Sequence, residues 1–185
     1  MSASASSTSD EYDVSDALTY AGLVLLAFEL LKEMIVRPIK YFYMNTTFSG
    51  GPFVSYEHDV LSRHKSEFEA CLMYLRDFME AIDANDVKCI QDLRNHRNEL
   101  AHNLPTHLFR LRLEDYAELF RATDRTMFKL SNYRTRMEFG ADPAYKNQGI
   151  DWNTVKGPRY ELYEEVLSRL DSLRTRLGSD ARFQA

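Results

Sequence analysis

The amino-acid sequence predicts an all-α protein, an up-and-down bundle of four or five helices. Apolar residues recur every three or four positions through most of the chain, which is the spacing of helices that bury one face. No segment keeps the alternation of apolar and polar residues that marks a strand, and no internal repeat is visible. With 185 residues, 44% of them hydrophobic, the chain has the size and composition of one globular domain.

The first predicted helix follows a tail, residues 1–15, that is Ser-rich and then acidic and is expected to be disordered. We expect this helix to run to about Arg37, where Pro38 ends or kinks it. Within it, residues 17–28 form an uncharged run of 12 residues, which is too short to span a bilayer. The chain also lacks the basic leader and the small-residue cleavage site of a secretory signal. The run is therefore interpreted as a buried core helix, with no membrane partner.

The other helices are predicted from the same periodicity. They cover residues 56–82, 86–104, 114–139 and 159–177. Asp86 is the expected cap of the third helix, and Pro105 ends it because proline disfavours helix in the residue before it. Residues 140–158 contain glycines and prolines without a clear period, which predicts a long loop of a kind that is often functional or mobile. The predicted domain is therefore 16–177, followed by a tail, 178–185.

The third helix carries the most informative run of the chain, Leu-Arg-Asn-His-Arg-Asn-Glu-Leu-Ala-His-Asn over residues 93–103. Its apolar stripe consists of Ile90, Leu93, Leu100 and Leu104. Arg97 falls in the middle of that stripe, and a guanidinium cannot lose its charge, so it must find a partner there. The partner is either a buried carboxylate, with Glu29 and Glu33 of the first helix as candidates, or a phosphate bound between subunits. Such a carboxylate would also orient the guanidinium.

Polar residues surround this arginine. Asn98 and His102 lie four positions apart and share a face of the helix with Arg94. Arg97 lies about 140° from His102 around the helix axis and about 7.5 Å along it. The two side chains are therefore expected to converge only if Arg97 reaches across and the helix end opens near Asn103, which favours a site assembled at an interface over one on an isolated helix. His96 is expected at the surface. As alternatives, His102 could satisfy carbonyls at the helix end, and Asn98 could be solvated surface.

The run Arg97-Asn98-Glu99-Leu100-Ala101-His102 resembles the R-x4-6-H signature of the HEPN (higher eukaryotes and prokaryotes nucleotide-binding) superfamily, in which the residue after the arginine is commonly polar and often asparagine. The order of elements over residues 16–177 resembles the family as well. The resemblance implies an HEPN-like bundle that forms a homodimer, with the motifs of both subunits in one cleft. It also implies a metal-independent endoribonuclease without a cofactor.

Further expectations follow from the resemblance. Arg97 and His102 would be the catalytic residues, with Asn98 in support, and RNA would be the substrate. Such proteins act in toxin–antitoxin, phage-defence and RNA-processing systems, so an antitoxin or a nucleotidyltransferase-type partner is possible. Cleavage would leave a 2',3'-cyclic phosphate and a 5'-hydroxyl. A non-catalytic module that binds a nucleotide, RNA or protein is the alternative, and a structural dimer in which Arg97 meets Glu29 or Glu33 is the third option.

Charge and cysteine content restrict the other possibilities. The net charge of −5 argues against a general nucleic-acid coat, but five basic and two acidic residues lie within positions 88–112. Four residues of the region are candidates for RNA contacts: Arg94, His107, Arg110 and Arg112. Cys71 and Cys89 do not have the spacing of a disulfide framework or of a zinc site, so no metal is expected. A reduced, cytoplasmic setting fits this cysteine usage better.

Overall fold

The computed structural model describes residues 14–107, 116–140, 142–145 and 148–182, without the side chains of residues 105–107 and 177–182. Within these ranges every regular element is helical, which confirms the predicted all-α class. In chain order the elements are α1 (Val14–Asn45), α2 (Tyr56–Asp59), a 3-10 turn (Leu61–Arg63), α3 (Glu67–Asp77), α4 (Ala84–His107), α5 (Ala117–Phe139) and α6 (Pro158–Arg182). The helices pack as a bundle around one apolar core.

Helix α1 is the central element, because it packs against α3, α4, α5 and α6. Ten of its residues, from Ala17 to Tyr43, are buried, which confirms the prediction of a core helix. Its predicted end near Arg37 is wrong: Pro38 lies inside the helix, which continues to Asn45. Proline removes one backbone donor, but the apolar face continues beyond it through Ile39 and Tyr43, which are buried in the core.

The length of α1 bears on the membrane argument. The helix has 32 residues, and a window of 18 residues within it is apolar enough to cross a membrane by length and composition. The prediction that this segment is too short to span a bilayer counted only the uncharged run of 12 residues, whereas the helix itself is long enough. Core helices of soluble proteins and signal sequences near an N-terminus both pass the same test, and 39% of this window is buried inside the bundle.

The second predicted helix is wrong as a single element, because residues 56–82 form α2, the 3-10 turn and α3 instead. The break is explained by the buried carboxylate of Asp59. Its Oδ2 accepts hydrogen bonds from the backbone N–H of Val54 at 2.7 Å and from the hydroxyl of Tyr43 at 2.8 Å. His58 Nδ1 lies 2.8 Å from Oδ1. These contacts fold the chain back onto α1, and periodicity alone does not reveal them.

Helix α4 begins with a reciprocal cap. Asp83 Oδ1 accepts from the N–H groups of Asn85 at 2.8 Å and Asp86 at 3.0 Å, while Asp86 Oδ2 accepts from the N–H of Asp83 at 2.9 Å. The cap is therefore Asp83, and the expectation that Asp86 takes this role is wrong. Near the other end, Asn103 leaves helical geometry with φ −121° and ψ 21°, two residues before Pro105. The predicted end of this helix near Leu104 is therefore wrong: the chain kinks at Asn103, and helix continues through Pro105 to His107.

The C-terminal part of the bundle consists of α5 and α6, joined by the predicted long loop. Asn132 of α5 holds that loop by donating to the carbonyls of Trp152 and Val155. Helix α6 begins at Pro158, close to its predicted start, and extends to Arg182. Residues 178–182 are therefore helical and do not belong to a tail.

Candidate active site

The turn of α4 that carries the motif is crossed by α1. The buried face of α4 consists of Ile90, Leu93 and Leu100, each exposed by 2% or less. Helix α1 contacts His96 through Tyr20 and Arg97 through Phe28, although these two α1 residues are about 12 Å apart along their helix. The neighbouring residues His96 and Arg97 of α4 are thus each held by a contact with a different turn of α1.

Arg97 lies on this face, and its side chain is 29% exposed. Its Cζ lies 5.6 Å from the centre of the Phe28 ring. Nη1 donates to Oδ1 of Asn98 at 3.1 Å, and Nη2 donates to Oε1 of Glu29 at 3.3 Å. Nε is buried without a hydrogen-bond partner among the described residues. The guanidinium is therefore oriented from one side and reaches solvent on the other.

The two carboxylate candidates behave differently. Glu29 is the partner of Arg97, whereas Glu33 is not, so the expectation for Glu33 is wrong. Glu33 accepts from Arg37 at 2.6 Å and lies 3.4 Å from Arg159 of α6. The hydrogen bond from Arg37 and the nearby Arg159 lower the pKa of the Glu33 carboxyl. Glu33 is one turn further along α1, beside α6 rather than α4.

Asn98 and His102 surround the arginine without completing a site within one chain. Asn98 is half-buried and touches the guanidinium, so it is more than solvated surface. His102 is exposed and makes no hydrogen bond or ion pair to another described residue. It lies next to the kink at Asn103, at the free end of the regular helix. The described chain therefore leaves the imidazole open to solvent and to other molecules.

The other candidates for RNA contacts give a mixed result. Arg94 forms an ion pair with Glu69 of α3 and lies over the ring of Phe68, with its Cζ 5.9 Å from the ring centre. Gln91 donates to the same carboxylate at 2.6 Å. Arg94 is thus engaged within the bundle, and Lys88 likewise pairs with Asp92. Part of the local basic surplus is therefore balanced by acidic partners.

Three candidates cannot be placed. Arg110 and Arg112 lie outside the described residues, and so does the side chain of His107. Their expected contacts with RNA remain predictions.

His96 is the residue that sequence reasoning misplaced, because it is only 4% exposed rather than at the surface. Its Nε2 lies 2.7 Å from the hydroxyl of Tyr20, and its ring stacks on Tyr116 with the centres 3.6 Å apart. Burial, with a smaller contribution from Tyr116, raises the pKa of Tyr20. The sequence contained a sign of this burial, because His96 lies only about 40° around the helix axis from Leu100. The buried face of α4 is therefore wider than the stripe of apolar residues.

Four cavities among the described residues are lined without Arg97, Asn98 or His102. The largest, about 810 Å³, lies between α1, α3, α5 and the start of α6 and has a mostly apolar lining. A groove between α4 and α5 exposes one edge of His96. The three motif residues thus lie outside these four cavities.

The described residues contain no group of three or more His, Cys, Asp or Glu side chains placed to hold a metal ion. Both cysteines are free, and Cys71 is buried. No family model, no curated protein and no solved structure matches this chain.

Proposed function

We propose that this chain is a metal-independent endoribonuclease of HEPN type that acts as a homodimer in the cytoplasm. The observation that carries the proposal is Arg97, a permanent cation on the buried face of α4 whose guanidinium is oriented by Asn98 and Phe28 and still reaches solvent. An oriented guanidinium at a surface is suited to a phosphate, because its planar fork donates two hydrogen bonds. His102, five residues on, is exposed and free for proton transfer.

The reaction follows from these groups. His102 accepts the proton of the RNA 2'-hydroxyl, and the 2'-oxygen then attacks the adjacent phosphorus. Arg97 stabilises the extra negative charge that develops on the phosphorane oxygens. The bond from phosphorus to the 5'-oxygen breaks, and that oxygen takes a proton from the second copy of His102. The products are a 2',3'-cyclic phosphate and a 5'-hydroxyl.

A homodimer is part of the proposal for a geometric reason. Arg97 and His102 are separated by about 140° around α4 and about 7.5 Å along it. One chain therefore presents them in different directions, and the exposed imidazole lies at the end of the helix, beside the kink. Two copies related by a two-fold axis at this end of α4 would bring both arginines and both histidines toward one cleft. An antitoxin or a nucleotidyltransferase-type partner would control such an activity.

The test is cleavage of total RNA by the purified protein in the presence of a chelator, followed by detection of cyclic-phosphate ends. We expect His102→Ala to reduce the rate at least about a hundredfold, as removal of a general acid–base does. His64→Ala is the matched control, because His64 lies between α2 and α3 and should leave the rate unchanged. Light scattering should show the same dimer for all three proteins. Cleavage by His102→Ala at the wild-type rate would refute this mechanism.

A non-catalytic binding module is the second candidate. It is favoured by the occupation of Arg97 by Glu29 and by the separation of Arg97 from His102 within one chain. This function predicts RNA binding that depends on Arg97 and an absence of new cyclic-phosphate ends at any protein concentration. The same cleavage assay, combined with a binding measurement, separates the two functions.

A further inference from the structure

The contact between Glu29 and Arg97 concerns the end of the guanidinium that a phosphate would use. Nε of Arg97 is buried and Nη1 already donates one of its two N–H groups to Asn98, so Nη2 is the end with the most donor capacity left. The carboxylate that meets Nη2 is 51% exposed. Glu29 therefore occupies the solvent side of the guanidinium with an anionic oxygen, which is the position that a phosphate oxygen would take.

This contact is weak by its geometry. The distance from Nη2 to Oε1 is 3.3 Å, longer than the distances of about 2.7–2.9 Å that are usual for charge-assisted hydrogen bonds. Half-exposed ion pairs contribute little to stability because water screens them. Glu29 also has a second partner on its own helix, since Nζ of Lys32 lies 3.9 Å from Oε2. The carboxylate can therefore leave Arg97 without losing every positive neighbour.

The guanidinium itself is held independently of Glu29. Asn98 fixes Nη1, and the ring of Phe28, 6% exposed, supports the flat face. Removing Glu29 would leave both contacts in place. Glu29 is thus not needed to orient the arginine, whereas its charge opposes any anion that approaches Nη2.

We propose that Glu29 holds the place of the phosphate: it neutralises Arg97 in the free protein and is displaced toward Lys32 when a phosphodiester binds. This inference rests on the proposed function, because it assigns the phosphate to Arg97. Glu29 then acts as an internal competitor that weakens RNA binding by the resting protein. Its substitution increases affinity, which distinguishes it from a residue that positions the arginine.

The experiment compares Glu29→Gln with Glu33→Gln. Both variants remove one negative charge from α1, but Glu33 pairs with Arg37 and Arg159 and not with Arg97. The first probe is a short RNA with 2'-O-methyl riboses, which cannot be cleaved, measured by fluorescence anisotropy at low salt. We expect Glu29→Gln to bind about threefold to tenfold more tightly than the wild type, and Glu33→Gln less than about twofold. In an Arg97→Met background, Glu29→Gln should have no such effect.

The second probe is inorganic phosphate, titrated at constant ionic strength while the NMR signals of the Asn98 side-chain amide are followed. RNA binding that depends on Arg97, with no difference between Glu29→Gln and Glu33→Gln or with weaker binding by Glu29→Gln, would overturn the inference and leave the proposed function intact. Phosphate binding strengthened by Glu29→Gln without any RNA binding would support the inference and overturn the ribonuclease. If neither RNA binding nor phosphate binding is weakened by Arg97→Met, the inference about Glu29 and the proposed function are both overturned.

Discussion

Replacing Arg97 by methionine separates a functional arginine from a structural one. Methionine keeps an unbranched stem of similar length against Phe28 and removes the charge, the fork and the buried N–H. If the role of Arg97 is functional, its side chain should contribute little to the free energy of unfolding, because a cation on an apolar face is not a stabilising choice in itself. We therefore expect Arg97→Met to lose RNA cleavage and to keep its stability.

The magnitude follows from the contacts of Arg97. The variant loses an ion pair with a half-exposed carboxylate, worth about 0–1 kcal/mol, and a hydrogen bond to Asn98, worth about 0.5–1.5 kcal/mol. It also loses the contact of the cation with the Phe28 ring, worth about 0.5–1 kcal/mol. Against these, it removes a buried Nε without a partner among the described residues, which costs about 1–3 kcal/mol. At the midpoints of these ranges the losses and the gain nearly cancel, so we expect the free energy of unfolding to change by about 1 kcal/mol or less.

Urea denaturation followed by circular dichroism measures this change. Arg94→Met is the matched control, because Arg94 also lies over a phenylalanine and pairs with a carboxylate, but that carboxylate, Glu69, is only 21% exposed. Arg94 itself is 37% exposed, but its removal leaves the less exposed Glu69 carboxylate with only the amide of Gln91 among the described residues, so we expect Arg94→Met to lose about 1–2 kcal/mol. Arg94→Met should therefore be less stable than Arg97→Met, because the carboxylate that loses its arginine is less exposed at Glu69 than at Glu29.

The refuting result is a large loss of stability in Arg97→Met. A decrease of about 3 kcal/mol or more, equal to or above that of Arg94→Met, would make Arg97 a structural residue. The role of Arg97 would then be the ion pair with Glu29, and the main observation in favour of the proposed active site would be lost. Normal RNA cleavage by a stable Arg97→Met variant would have the same consequence for the proposed mechanism.

Three further perturbations test the surroundings of the site. Tyr20→Phe removes the buried bond to His96 and should lower the free energy of unfolding in urea by about 1–2 kcal/mol. Asp59→Ala should cost about 2–4 kcal/mol. The hydrogen bonds to Asp59 outweigh its burial and lower its pKa, so its contribution is present above about pH 4 and is lost as the pH falls through the folded value. Burial raises the pKa of Cys71 and Cys89 to about 11, so both thiols should react with Ellman's reagent at pH 8 about a hundredfold more slowly in the folded protein than in guanidinium chloride.

Each of these expectations has an opposing outcome. Unchanged stability of Tyr20→Phe would mean that the contact with His96 is not formed in solution. An acid unfolding curve of Asp59→Asn identical to that of the wild type would exclude the ionised carboxylate as a source of stability. Rapid labelling of either cysteine without denaturant would show that its burial is not maintained.

The position of Arg97 could be predicted from the sequence, because helical periodicity alone places it between Ile90, Leu93 and Leu100. The choice between its carboxylate partners could not. Glu29 and Glu33 are four residues apart and share one face of α1, so periodicity treats them alike. Only the crossing of α1 over α4 brings the first to the arginine and leaves the second beside α6.

Two errors have the same physical origin. His96 was expected at the surface because, one residue before Arg97, it points in a different direction from the site residues, but a hydroxyl from Tyr20 and the ring of Tyr116 make its burial favourable. The second predicted helix breaks because the Asp59 carboxylate accepts hydrogen bonds from a distant tyrosine and from a loop N–H. Both depend on contacts across the fold, which local pattern does not contain.

The double attachment of α4 to α1 has a mechanical consequence. Tyr20 and Phe28 contact the neighbouring residues His96 and Arg97 of α4 from two different turns of α1. A rotation of either helix about its own axis would therefore break at least one of these contacts or move the other helix as well. Val24 lies midway between these two contacts on α1 and is fully buried. Because both contacts belong to one helix, a substitution that shifts α1 at this point should move His96 and Arg97 together and change the orientation of the Arg97 guanidinium.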